Sequence, residues 1–148
     1  MISDRDKSTD ICVSGFLGDV IISVRSYILS GKNQLVIVMK GKALNKPTPL
    51  NLANHAYWNL GGQNSGNILT EVVQIFGSQI IAVDNKLIPT GKFVYVKGTT
   101  YNFLKPQSIG SRINHLAETK GYDINYVLDV EKQKKKKLAA TVQDKKSG

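Results

Sequence analysis

The chain has 148 residues, enough for one hydrophobic core, and its 41% apolar and 21% charged content is that of a globular protein, not a disordered one. No apolar run nears the roughly 20 residues that span a bilayer, and the polar start MISDRDKSTD has no secretory core, so no membrane role is expected. The single cysteine, Cys12, excludes an internal disulfide and fits a reducing, cytoplasmic setting, while the net charge of +9 raises nucleic acid as a partner.

The first 14 residues carry no assignable pattern. In VIISVRSYIL (20–29), Val20, Ile22, Val24 and Ile28 alternate with Ser23, Arg25 and Tyr27, the period of a half-buried strand. SGKN (30–33) supplies turn residues, and the β-branched QLVIVMKG (34–41) completes a predicted hairpin. Pro47 and Pro49 forbid a helix over 43–49 and suit an extended crossing. NLANHAYWNLGG (51–62) then gathers one histidine, three asparagines and two aromatics, and GGQNSGN (61–67) is loop by composition.

Further strands are predicted at 69–76, 79–83 and 93–97, separated by the turn signals DNK and IPTG. Ile109, Ile113 and Leu116 recur at helical spacing and predict one short helix over 106–116. NYVLDV (125–130) and LAATV (138–142) read as a final hairpin with the lysine run at its tip. That run, Lys132 and residues 134–137, supplies more than half of the charge excess. No aromatics are interleaved to stack on bases, so a solvated turn is favoured over nucleic-acid binding. Many strands, one short helix and no strand–helix alternation point to an antiparallel all-β sandwich or barrel.

His55 is the first candidate for chemistry. On an extended segment it shares a face with Tyr57 and Asn59, away from Asn54 and Trp58. A histidine can exchange a proton near neutral pH; bonded to a backbone carbonyl it is merely structural, and spacing alone leaves both readings open. Tyr57 and Trp58 could face the C–H side of a sugar ring or pack in a core. Asp123, in GYDINYV, suits either a sugar hydroxyl or an Asx turn. Two distant histidines and one cysteine lack zinc-site spacing. GGQNSG lacks the Lys-Ser/Thr of a phosphate loop, and there is no GxSxG elbow.

NKPTPLNLANHAYWNLGG, LIPTG and KGYDINYVL, in that order and spacing, resemble the central part of the galactose mutarotase (aldose 1-epimerase) family, over residues from about 15 to 146. The resemblance implies an antiparallel β-sandwich that is incomplete over this length, with residues 15–148 as a partial domain. It implies interconversion of the α and β anomers of a free aldohexose, with no metal or organic cofactor. It assigns His55 as general acid, Asp123 as a sugar-hydroxyl ligand, and Tyr57 and Asn59 as lining residues. The family often has histidine where Ile124 stands. The upstream arginine and histidine of its sugar site, and its downstream general-base glutamate, have no match; Glu118 and Glu131 stand in the wrong context. The expectation is therefore a truncated relative, weak or inactive alone. Alternatives are a non-catalytic carbohydrate-binding module and a chain that associates with itself or with a full-length homologue.

Overall fold

The alternating segment at 20–29 forms the central strand of a three-stranded sheet. In the computed structural model the described residues are 7–13, 18–29, 34–116, 121–129 and 137–147. They belong to two units, Met1–Ala56 and Tyr57–Gly148. In the first, β1 (Lys7–Val13), β2 (Val20–Leu29) and β3 (Gln34–Ala43) pair in that order. Both pairings are antiparallel, with Val13 opposite Val20 and Leu29 opposite Gln34, so the predicted hairpin is present. Val20 is buried; the side chains of Val24 and Ile28, and the turn at 30–33, lie outside the described residues.

After β3 the chain runs without a helix, as the prolines require. Asn45 ties this segment to β2: its Oδ1 accepts from Asp19 N (2.9 Å) and its Nδ2 donates to the Asp19 carboxylate (2.8 Å). Leu50 packs over Gly41 so closely that a Cβ there would overlap its Cδ2 atom.

The second unit holds two three-stranded antiparallel sheets. One has β4 (Val72–Ile75) between β7 (Gln107–Ser108) and β9 (Ala140–Gln143). The other has β5 (Gln79–Val83) between β6 (Pro89–Tyr95) and β8 (Tyr126–Val127). The DNK turn joins β5 to β6, with the Asp84 carboxylate accepting from Lys86 N (2.8 Å) and Ile88 N (3.0 Å). IPTG is not a turn in full. Pro89 opens β6, where its missing N–H costs no ladder bond, and a bulge between Ile81 and Val83 absorbs the shift in register.

Two expectations need correction. The segment 106–116 forms no α-helix: β7 is followed by single-turn 3-10 helices at Ile109–Ser111 and Ile113–His115. Its donors go elsewhere, with Ile109 N on Glu71 O (3.0 Å) and Gly110 N on Leu69 O (2.8 Å), so the helical ladder cannot start. Nor do the last two strands pair as a hairpin: β8 joins β5 and β9 joins β4. The Asp129 carboxylate accepts from Ser78 Oγ (2.6 Å) beside β5, while Phe76 N donates to Ala139 O (2.9 Å) beside β4. Lys132 and residues 134–136, the body of the lysine run, lie outside the described residues. Among the described residues, no helix is long and apolar enough to cross a membrane.

The core of this unit contains Val96, Phe103, Ile80 and Leu116, all buried. Tyr122 meets Phe103 edge-on at 5.0 Å and Tyr101 at 6.2 Å. The Arg112 guanidinium lies 5.4 Å from the Phe103 ring centre and donates to the carbonyls of Thr99 and Asn102. Tyr126 Oη donates to Tyr101 O (2.8 Å). Burial, reinforced by neighbouring Tyr122 and Tyr101, pushes the Tyr126 phenol well above its ordinary range; burial also raises Tyr122, against the opposing charge and hydrogen bonding of Arg112.

Phe103 is 3% exposed and touches both Tyr122 and Arg112. We expect Phe103→Ala to cost about 3–5 kcal/mol in urea unfolding, and Phe103→Leu clearly less. A Phe103→Ala chain as stable as the parent would remove this residue from the core.

Candidate functional site

Asn-rich segments form turns when their amides find local backbone partners. That is how 51–62 is built: no residue from 51 to 59 lies in a strand, so strict alternation of side chains does not apply. Asn54 Oδ1 accepts from Ala56 N (3.0 Å), an Asx turn beside His55. Asn59 organises the following loop. Its Oδ1 accepts from Gly61 N and Ser65 Oγ, both at 3.0 Å, and its Nδ2 donates to Gly66 O at 3.1 Å. These Asn59 bonds are exposed rather than buried.

His55 is exposed, at the end of the first unit. In the second, Tyr57 is 89% and Trp58 63% exposed, so neither is a core aromatic. Asp123 is exposed. Among the described residues of this unit, a polar and an apolar cleft open. The polar one, of about 160 Å³, is lined by Asn59, Ser65, Asn67, Glu71, Asp144 and Lys146, among others. The apolar one, of about 300 Å³, runs between Ile68, Val73, Ile75, Phe103, Ile113 and Tyr122. Asn59 lines the polar cleft, whereas Tyr57 and Asp123 line neither.

Sequence reasoning passed over Glu71 and Asp144, the buried ionisable side chains among the described residues. Glu71 stood inside the apolar run LTEVVQIF, where a lone acid was a signal of a specific partner. Its Oε1 accepts from Leu60 N at 2.9 Å. Asp144 Oδ2 accepts from Ser147 N at 2.9 Å. The Ser147 hydroxyl, then the amides of Ser147 and Lys146 and the Lys146 charge, hold the Asp144 carboxyl below its ordinary value despite its burial. Among the described residues, no three His, Cys, Asp or Glu side chains gather as a metal ion would need.

The family model for aldose 1-epimerase matches residues 1–148. The chain is 37% identical over 134 residues to galactose mutarotase of Mus musculus, covering 90% of this chain and 37% of that protein. It is 32% identical to aldose 1-epimerase of Streptococcus thermophilus, covering 92% and 37% respectively. It therefore spans little more than a third of the length of these curated relatives. In structure it is similar to a GalM/aldose epimerase homologue from C. elegans, with a TM-score of 0.76 and 23% identity over 95% of this chain and 42% of that one. The galactose 1-epimerase of Lactobacillus acidophilus NCFM gives a TM-score of 0.76 at 20% identity, over 97% of this chain and 43% of that one. These likenesses establish an antiparallel β fold of the same kind.

Because Asp144 is held below its ordinary value of 3.8, its stabilising effect is complete above that pH and lost as pH falls through the lowered native value. We expect Asp144→Asn to flatten this part of the acid-unfolding curve, followed by circular dichroism between about pH 5 and 1. An unchanged acid transition would show that the carboxylate is not coupled to folding.

Proposed function

The chain belongs to the aldose 1-epimerase family, and from that premise we propose that it carries the acid-bearing part of a site that interconverts α and β anomers of a free aldohexose such as galactose or glucose. Ring opening needs an acid at the ring oxygen and a base at the C1 hydroxyl. The freed aldehyde then rotates and closes on its other face. His55 is the acid, since an imidazolium can protonate the ring oxygen near neutral pH and its imidazole can take the proton back. Asp123 accepts hydrogen bonds from sugar hydroxyls, as an exposed carboxylate can. Tyr57 and Asn59 line the site, the ring of Tyr57 offering an apolar face to sugar C–H bonds.

The observation that carries this reading is NLANHAYWNLGG held as an exposed loop, with Tyr57 and Trp58 presented to solvent in a chain matched along its whole length by the family model. Leaving two aromatics uncovered forgoes their burial energy, which is expected where they meet a ligand. The proton transfers at C1 and the ring oxygen call on acid–base side chains and no organic cofactor. The family's general-base segment has no counterpart among these 148 residues, so by themselves they fall short of a complete site by about 10²–10⁴ in rate. The single cysteine suits a reducing compartment, and we place the activity in the cytoplasm.

Polarimetry on freshly dissolved α-D-galactose tests this directly. We expect the purified chain to accelerate mutarotation slightly over buffer, and His55→Ala to abolish the gain. Turnover near the roughly 10 per second typical of enzymes would contradict the missing-base claim. Acceleration unchanged in His55→Ala would contradict the assignment of the acid.

A further inference from the structure

Two strand ends converge on a single residue, Leu60. Val72 is paired with Gln143 across β4 and β9, so Glu71, just before β4, and Asp144, just after β9, are cross-strand neighbours. Both are buried, at 3% and 5% exposure. Two like charges set opposite each other and withdrawn from water are unfavourable unless each is held by specific donors. Each is held. Glu71 Oε1 accepts from the N–H of Leu60 (2.9 Å), and Asp144 fixes the turn from which Ser147 Oγ donates to the C=O of Leu60 (3.3 Å). The donor and the acceptor of one loop residue are thus both taken by the rigid edge of a sheet.

Leu60 directly follows Asn59 and lies two residues after Trp58, so this clamp secures the loop end that carries Tyr57, Trp58 and Asn59. The bonds of the Asn59 amide are local, to residues 61–66. Glu71 and Ser147 supply anchorage from outside it. We propose that Glu71 is a positioning residue for the sugar site, holding the Tyr57–Asn59 loop in its binding conformation through Leu60. The proposal rests on the reading of that loop as a sugar site. The carboxylate contributes a charge-assisted hydrogen bond to a backbone amide, the kind that fixes a loop rather than reacts.

The test is site-resolved amide exchange together with D-galactose titration on the full chain, comparing Glu71→Leu with Glu71→Gln. Leucine removes the acceptor at similar volume; glutamine keeps it. In Glu71→Leu we expect Leu60 exchange to rise about tenfold or more, with β4 and β9 amides still protected, and galactose affinity to fall by a similar factor. Glu71→Gln should restore most of both. Unchanged Leu60 exchange in Glu71→Leu, full galactose affinity with a freed Leu60, or a Glu71→Gln chain as loose as Glu71→Leu would each overturn the proposal. If Glu71→Leu unfolds the sheet, Glu71→Met, which matches glutamate in length but offers no carboxylate acceptor, takes its place under the same criteria. If the parent chain binds no galactose, the sugar reading fails, while Leu60 exchange still decides whether the clamp exists.

Discussion

The second unit depends on how the chain passes from one sheet to the other between Ile75 and Gln79. At Gly77 a Cβ would lie 2.7 Å from the carbonyl oxygen of Val127, so only glycine lets β8 approach the crossing. Asp129 then closes it from the far side, accepting from both Ser78 N (3.1 Å) and Ser78 Oγ (2.6 Å). Phe76 and Ser78, on either side of Gly77, bond outward in several directions: Phe76 N to Ala139 O, Asp129 N to Phe76 O, and Val96 N to Ser78 O. One short corner therefore fixes β9 on the first sheet and β8 on the second, and brings Val96 into the core. A larger side chain at Gly77 would push β8 away, and with it the segment that carries Tyr122 and Asp123.

This corner explains why the chain could be read in part but not in whole. Alternation in 20–29 and the β-branched run in 34–41 identify strands locally, and β2 and β3, only four residues apart in sequence, pair with each other. Gln79–Val83 is likewise legible from its own residues. Pairing between distant segments is not. NYVLDV and LAATV look like a hairpin because they are adjacent in sequence, yet β4 and β5 each claim one of them. The apolar spacing at Ile109 and Ile113 suggested a helix, but those side chains line the apolar cleft from 3-10 turns whose amides bond to Leu69 and Glu71. The period was wrongly read as a helix.

The candidate site divides in the same way. Motif order pointed to His55, Tyr57, Asn59 and Asp123, because these residue types suit sugar chemistry and stand in recognisable strings. What supports them was hidden. Glu71 and Asp144 lie 73 positions apart in the chain and become neighbours only through the register of β4 and β9. No local pattern marks either as the anchor of Leu60. An exposed, ligand-facing loop has little core of its own to hold it, so its order must come from buried groups at its base. The sheet edge supplies such groups, at the cost of two carboxylates placed side by side.

The chain is a member of the aldose 1-epimerase family, and the proposed function has it meet a free hexose through the residues of NLANHAYWNLGG and GYDINYV. The most direct measurement is a map of amide chemical-shift changes on adding D-galactose to the labelled protein at millimolar concentration. The account predicts changes concentrated at His55, Tyr57, Asn59 and Asp123. Changes confined to the apolar cleft around Val73, Ile113 and Tyr122, or none at all, would contradict it.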